Sequence, residues 1–554
     1  MYSNKKSIQQ LLALMLEHGV TNVVLSPGSR NAPLIHTFSQ HPQLTCYTIV
    51  DERSAAYFAL GLILKTQKPV AVCCTSGTAL LNYSSATAEA YYQKLPLMVI
   101  SADRPAHWVG QADGQTINQK NVLANFVKRS VTLPEIHSAE DLWLCNRLVN
   151  EALVALTRID AGPVHVNIPL SEPLYEFTEE VIPLARKIRL VEGKADVPTA
   201  YVEEWGTFTK KMVVVGQLLP SEEMAGAIEK LSRRGDTVII AEHTANLPSA
   251  VSVRQFEQVL VSLSEAEKAQ FAPDILLTIG GHIVSKRFKQ LIRKCQPSKH
   301  WRIGCDVVDT YQSLTDLLDV DAPSFVNEIA KVEVGATEYQ DIWTNRSERI
   351  QSAGAEYLKS IPYCDLLVYK TIFERMPSGI SLHLGNSTPV RYAQLFALSN
   401  DIDVYSNRGT SGIDGVVSTF AGFASKNDKM SLLVVGELSF LYDSNGLWNR
   451  YLSPKARIIV INNAGGGIFR LIDGPSRSEA LEQHIEYRHG QSVENIARAF
   501  WVEYLSASNE KELENSFATL MDQNINKPML LEVFTPSELN SEVYKGYFEY
   551  LKTK

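Results

Sequence analysis

No apolar run in this sequence approaches the ~20 residues needed to span a bilayer. A basic surplus is also missing: 53 Lys and Arg face 61 Asp and Glu, a formal net charge of −8. That balance argues against a general nucleic-acid binder, which needs a cationic footprint to release counterions. The seven cysteines, at 46, 73, 74, 145, 295, 305 and 364, form no CxxC pair, so neither a metal knuckle nor a dithiol redox motif is encoded. Free thiols in apolar runs such as PVAVCC are expected to be buried, which implies a reducing cytoplasm. The start, MYSNKKSIQQLLALMLEHGV, reads as an amphipathic helix interrupted by Glu17 and His18 with no small-residue cleavage site after it, so a soluble, unexported chain is expected. Two nucleotide signatures are missing as well. No GxxxxGK[ST] occurs, and the G-x-G-x-x that begins at Gly465 reaches Arg470 where a Rossmann loop has its third glycine.

What is present is the composition of a large globular protein, 45% hydrophobic and 21% charged over 554 residues. At about 150 residues per domain that is too much chain for one core. From residue 21 short apolar runs (NVVLSP, CYTIV, PVAVCC, LPLMVIS, PVHVNIPL) alternate with helical patterns, the signature of βαβ units around a parallel sheet. A mixed, charged stretch over 181–200 reads as a linker. A second α/β block follows with MVVVGQ, TVIIAEH and DILLTIGG, and a third with SLHLGNS, VYSNRG, SLLVVGEL, RIIVINN and PMLLEVF. The expectation is α/β: three doubly wound parallel-sheet domains over 1–180, 201–352 and 353–554, with no strong internal repeat.

Ligands of such sheets sit at the carboxyl ends of the strands, and there the sequence places SPGSRNAP, DERSAAYFALG, TSGTALLN, SADRP, GNSTPVR, SNRGTSGIDG, GELSF and NNAGGGIF. Glycine between strand and helix lets backbone amides approach a phosphate. Taken singly, each loop reads equally well as a tight turn. The pair GE…NNAGG is more specific, because an acid at one strand end and an Asn side chain at another offer oxygen ligands to Mg²⁺ while amides hold a diphosphate. The plain alternative is that Glu437 merely closes a strand.

An acidic strand end followed some 25 to 30 residues later by NN resembles the metal and diphosphate motif of thiamine-diphosphate enzymes. With SPGSRNAPL, DERSAAYFALG, TSGTA, SADRP and SNRGTSGIDG in order, the whole chain resembles the 2-succinyl-5-enolpyruvyl-6-hydroxy-3-cyclohexene-1-carboxylate synthase family. The resemblance implies a pyrimidine-binding, a central and a diphosphate-binding domain. It also implies thiamine diphosphate with Mg²⁺ or Mn²⁺, and the coupling of 2-oxoglutarate to isochorismate in menaquinone biosynthesis.

Residue by residue, it implies that Glu52 contacts the aminopyrimidine and that Ile413 props the cofactor. Pro27, Thr78, Ser411, Gly436, Leu438, Ser439, Gly466, Ile468 and Phe469 would line the cofactor, and Glu437, Asn463 and the Gly465 carbonyl would hold the metal. Both substrates are dicarboxylates, and guanidinium grips carboxylate with two parallel hydrogen bonds. Arg391 and Arg408, with Ser387, would take the distal carboxylate of 2-oxoglutarate. Ser29, Arg30, Arg104 and Gln115 would face isochorismate, with Lys286 and Arg287 closing over it. Two departures stand out: Asp51 precedes Glu52 where many thiamine decarboxylases have His, and Glu437 stands where Asp is usual. The resemblance further implies a homodimer, or a tetramer built from it. Two rivals are weighed. Another thiamine-dependent 2-oxo-acid synthase or decarboxylase would act on pyruvate, which lacks the second carboxylate. A non-catalytic cofactor-binding paralogue would be expected to have lost Glu52.

Overall fold

A computed structural model describes residues 1–158, 160–193, 195–333, 335, 337–471 and 474–554. Every strand pair within its three sheets is parallel. The first sheet holds β1 (Asn22–Leu25), β2 (Thr45–Thr48), β3 (Val70–Cys74), β4 (Leu97–Asp103), β5 (Arg129–Thr132) and β6 (Val164–Pro169) in the order β2-β1-β3-β4-β6-β5. The second holds β7 (Lys211–Val215), β8 (Thr237–Ala241), β9 (Ile275–Ile279), β10 (Lys299–Ile303) and β11 (Asp316–Leu318) in the order β11-β10-β9-β7-β8. The third holds β12 (Ser381–Leu384), β13 (Asp403–Tyr405), β14 (Ser431–Gly436), β15 (Ala456–Asn462), β16 (Glu503–Ala507) and β17 (Met529–Phe534) in the order β13-β12-β14-β15-β17-β16. Helices cover both faces, so central strands such as VAVCC and ARIIVIN are wholly buried, the first apolar along its length and the second apolar between Arg457 and Asn462.

The first and third sheets have the same strand order, a symmetry that no sequence repeat announces. Between the first and second sheets the chain is largely irregular from Leu170 to Pro198, and the helix Tyr339–Tyr357 runs through residue 352, where the sequence suggests a division.

The first and third units are clasped by two helices. Glu52–Thr66 is capped by Asp51, whose carboxylate accepts from Ser54 N–H at 3.1 Å, and Glu52 sits in the first turn, where the helix dipole favours an acid. It crosses Val416–Ala424 at two glycines. A Cβ on Gly61 would lie 2.0 Å from the Thr419 carbonyl oxygen, and one on Gly422 would lie 2.0 Å from that of Phe58. Ala421 and Phe423 thereby join the same apolar core as Ala55, Phe58 and Leu62. Polar links ring the crossing. Tyr57 donates to Asp414 at 2.5 Å, Asn445 to the second Asp51 oxygen at 2.7 Å, and Arg53 to the Tyr442 carbonyl at 2.7 Å. Asp51 is therefore both helix cap and part of the clasp.

Gly61→Ala should overpack this crossing at a cost of about 1–3 kcal/mol and lower the melting temperature. Gly226→Ala is the control, because Gly226 lies in the helix Glu222–Ser232 and a Cβ there meets nothing within 4 Å. That change should stabilise by roughly 0.5–1 kcal/mol. Differential scanning calorimetry of both variants reads the contrast.

Candidate active site

The loops after β1 and β3 meet because Gly28 has no side chain: a Cβ there would lie 2.3 Å from Thr75. Pro27 and Ser29 are left exposed, as is Thr78, which opens the helix Thr78–Asn82. Gln115, held at φ 54°, packs its backbone against Gly77, whose N–H donates to Gln119 at 2.8 Å. Glu52 is half-buried, and desolvation raises its pKa above the usual carboxylate value. Arg30 is buried, donates to the Leu170 carbonyl at 3.0 Å and pairs with Glu172 at 3.0 Å, while its Nε has no partner. Burial and the neighbouring Arg104 lower its pKa. Arg104 is already engaged, with its Nε 2.5 Å from Asp113 and an Nη donating to the Gly114 carbonyl at 2.7 Å.

At the equivalent end of the third sheet, β14 stops at Gly436 and Glu437 begins the helix Glu437–Tyr442. The Glu437 carboxylate reaches across to the end of β15, accepting from Gly465 N–H at 2.6 Å. The Gly465 N–H thus holds the end of the Glu437 side chain. The space beside Gly436 is open, for a Cβ there meets nothing within 4 Å. His489 Nε2 lies 3.5 Å from Glu437 Oε1 in a buried setting, and its Nδ1 accepts from Gln491 N–H at 3.1 Å. A neutral His489 ring therefore carries its proton on Nε2, facing the carboxylate. Asn463 donates its amide N–H to Asp365 at 3.0 Å, and its Oδ1 is buried without a partner.

One carboxylate, one orphaned amide oxygen and the Gly465 carbonyl, which also accepts from Gly467 N–H at 2.9 Å, are oxygen donors of the kind that could hold a hard divalent cation. Ser439 donates to the Ile413 carbonyl at 2.6 Å, which ties the SGIDG loop to the helix that Glu437 opens. Leu438, Gly466, Ile468 and Phe469 are half-buried around it, and Ile413 is 41% exposed. Three non-glycine residues in these loops have positive φ, Ser387 at 74°, Ser411 at 63° and Ala464 at 62°. Strain of that kind gathers where a loop is shaped for a ligand.

Arg391 donates to the Ser387 carbonyl at 2.5 Å and Arg408 to Asn386 Oδ1 at 2.7 Å, and the Arg408 Nε has no partner. Burial lowers both pKa values, and Arg391 lowers that of Arg408 further. The acid both feel is Glu242, just past β8 and 1% exposed. Its carboxylate is spent on Val284 N–H at 2.8 Å and Ser285 N–H at 2.9 Å. Arg408 lines a cavity of about 960 Å³ at the ends of β7, β9 and β10, together with Gln217, His282, Lys289 and Arg302. Arg287 pairs with Glu257 at 2.9 Å, lies 4.7 Å from the Phe548 ring and lines a different cavity of about 800 Å³. Lys286 is exposed at the start of the helix Lys286–Cys295.

Asp365, Glu242, Lys289 and His489 escape the sequence reading. Glu242 had a signal, since TVIIAEH ends a strand on an acid; the others depend on tertiary placement alone. Desolvation holds the Glu242 pKa at about 6, above its ordinary 4.5. A carboxyl raised on folding adds stability that is present below the unfolded pKa and is lost as pH rises through the folded one. Between pH 4.5 and 7 the wild type should lose roughly 2 kcal/mol relative to Glu242→Gln, read as a narrowing difference in melting temperature.

Residues 6–122 match the family described as thiamine pyrophosphate enzyme, N-terminal TPP binding domain. The chain is 42% identical over 567 residues to a 2-succinyl-5-enolpyruvyl-6-hydroxy-3-cyclohexene-1-carboxylate synthase of Bacteroides thetaiotaomicron, with 100% of each chain covered. It is 40% identical over 561 residues to that of Bacteroides fragilis, again over 100% of each. Among solved structures, benzoylformate decarboxylase from Polynucleobacter necessarius superposes with a TM-score of 0.70 at 16% identity, covering 97% of this chain and 99% of that one. At that identity the likeness speaks for the fold.

Proposed function

The chain belongs to the 2-succinyl-5-enolpyruvyl-6-hydroxy-3-cyclohexene-1-carboxylate synthase family, and from that membership we propose how its own residues carry the reaction. The enzyme is a thiamine-diphosphate-dependent transferase of menaquinone biosynthesis that joins 2-oxoglutarate, with loss of CO2, to isochorismate. When bound, thiamine diphosphate supplies the electron sink that decarboxylation and carbon–carbon coupling need.

Residues 1–180 form the pyrimidine-binding domain, 201–352 the central domain and 353–554 the diphosphate-binding domain. Glu437, Asn463 and the Gly465 carbonyl hold the divalent cation, Mg²⁺ or Mn²⁺, and Gly436, Leu438, Ser439, Gly466, Ile468 and Phe469 enclose the diphosphate. The orphaned Asn463 Oδ1 supports this. Ile413 and Ser411 support the middle of the cofactor. Pro27, Glu52 and Thr78 would meet the aminopyrimidine, and burial keeps the Glu52 carboxyl easy to protonate, as a group that would hold or release a proton there must be. Asp51 is occupied as a helix cap, so no second proton donor stands directly before Glu52. That suits an enzyme that must couple rather than protonate.

The observation that carries the substrate assignment is the pair of neighbouring guanidiniums Arg391, half-buried, and Arg408, buried with its Nε unpartnered, neither of them ion-paired to an acid among the described residues. With Ser387 they bind the distal carboxylate of 2-oxoglutarate. Arg30, with Ser29, Arg104 and Gln115, receives isochorismate, and Lys286 and Arg287 close over it. Glu52 interacts with Asp51, Cys74 and Tyr83, whereas Glu437 interacts with Gly465, His489 and Asp365. Among the described residues Glu52 and Glu437 share no hydrogen-bond or ion-pair partner, although the helices they open meet through Arg53 and Tyr442. We propose a homodimer whose sites each combine the first domain of one copy with the third of the other, in the cytoplasm, where the buried thiols stay reduced.

Glu52→Gln should keep the fold and cofactor affinity while turnover falls by about 100-fold or more; near-normal turnover contradicts the role. Arg408→Lys should lower kcat/KM for 2-oxoglutarate by about 10- to 100-fold, with little effect on any residual reaction of pyruvate, which has no distal carboxylate. Steady-state CO2 release measures both.

A further inference from the structure

The orientation of the Asn463 amide can be followed back to a backbone N–H, the one donor in the network whose direction is fixed by covalent structure. Asp365 N–H donates to Asn540 Oδ1 at 2.7 Å, so the Asn540 NH2 faces the other way and donates to Thr535 Oγ1 at 3.1 Å. The Thr535 hydroxyl, having accepted there, turns its own hydrogen to Asp365 Oδ1 at 2.6 Å. The remaining oxygen, Asp365 Oδ2, receives the Asn463 NH2 at 3.0 Å. Asp365 is 2% exposed and Asn463 5%. An ionised carboxylate only accepts, so the NH2 of Asn463 must point at Asp365 and its Oδ1 must point away. That oxygen is buried and unpartnered.

We propose that Asp365 is a positioning residue for the metal centre: it fixes the Asn463 amide with its oxygen toward the cation and so sets divalent-metal affinity. The inference rests on the reading of Glu437 and Asn463 as metal ligands. Asp365 touches neither cation nor cofactor; it starts the helix Asp365–Arg375 and acts from behind Asn463. Groups that orient metal ligands in this way are typically worth about 10- to 100-fold in affinity.

The network also predicts what substitutions do. In Asp365→Asn, Thr535 still donates to the new Oδ1, so the new NH2 faces Asn463. Two NH2 groups then oppose each other, Asn463 turns over, and a donor replaces the oxygen that faced the cation. In Asn463→Asp, two carboxylates face each other. In the double variant Asp365→Asn/Asn463→Asp, the NH2 at 365 donates to one oxygen at 463 and the other oxygen faces the cation, so every hydrogen bond is restored.

The test is Mn²⁺ binding to the full-length protein with thiamine diphosphate, followed by loss of the free Mn²⁺ electron paramagnetic resonance signal, with folding checked by circular dichroism. Asp365→Asn should raise the Mn²⁺ Kd by about 10- to 100-fold, and the double variant should return it to within about threefold of wild type. A purely structural role for Asp365 would not give that rescue. Unchanged affinity in Asp365→Asn, or a folded double variant that binds no more tightly than Asn463→Asp alone, overturns the inference. Glu437→Gln separates the two claims: if it also binds Mn²⁺ as wild type does, the metal assignment itself is wrong.

Discussion

The crossing of Glu52–Thr66 over Val416–Ala424 is the contact on which the rest of the molecule depends. With glycine at 61 and 422 the two helices touch backbone to backbone, leaving no layer of side chains to repack and one relative placement of the first and third domains. Around it, Asp443 accepts from Ser418 N–H at 2.7 Å and from its hydroxyl at 2.9 Å, and Glu89 of the first domain accepts from the N–H groups of Gly409 at 2.8 Å and Thr410 at 2.6 Å. The Glu89 contact fixes the residues directly after Arg408. The clasp therefore also sets where a substrate-binding guanidinium stands.

The site keeps its polar groups under-satisfied. Arg30, Arg408 and Asn463 each bury a nitrogen or oxygen with no hydrogen-bond partner, and each such group carries a desolvation cost that a suitable ligand relieves. Glu242 forms no ion pair with Arg391 or Arg408, its carboxylate being occupied by two backbone N–H groups at the start of the helix Lys286–Cys295. Neighbouring guanidiniums held without a carboxylate have a strong preference for a dianionic substrate. The chain's overall negative charge makes that local concentration of cation the more selective.

Much of this was legible in the sequence because parallel α/β sheets write themselves plainly: buried strands are continuous apolar runs, and function collects at their carboxyl ends. The loops SPGSR, TSGTA, SNRGTSG, GELSF and NNAGGG stand at strand ends as read. Less visible was whatever depends on distance in sequence. Asp365 lies 98 positions before the asparagine it orients, with no local pattern to mark it. The shared strand order of the first and third sheets left no trace as a repeat, since a strand order constrains which residues are apolar and not which apolar residues they are. The helix Tyr339–Tyr357 packs against both the second and third units, so composition alone offers no break there.

The central claim is that the two ends of the cofactor are held by different copies of the chain. Ile413, Tyr442 and Trp448 are 41%, 53% and 49% exposed in the single chain, apolar surface that a second copy would cover. Subunit complementation tests it directly. Glu52→Gln and Glu437→Gln, each inactive as a homodimer, are coexpressed and the mixed population is assayed. If sites are shared, half the dimers are mixed and each of those has one intact site, so activity should return to about a quarter of wild type. If each chain builds its own site, no mixed dimer contains an intact one and activity stays at the level of the separate variants, which would contradict the account.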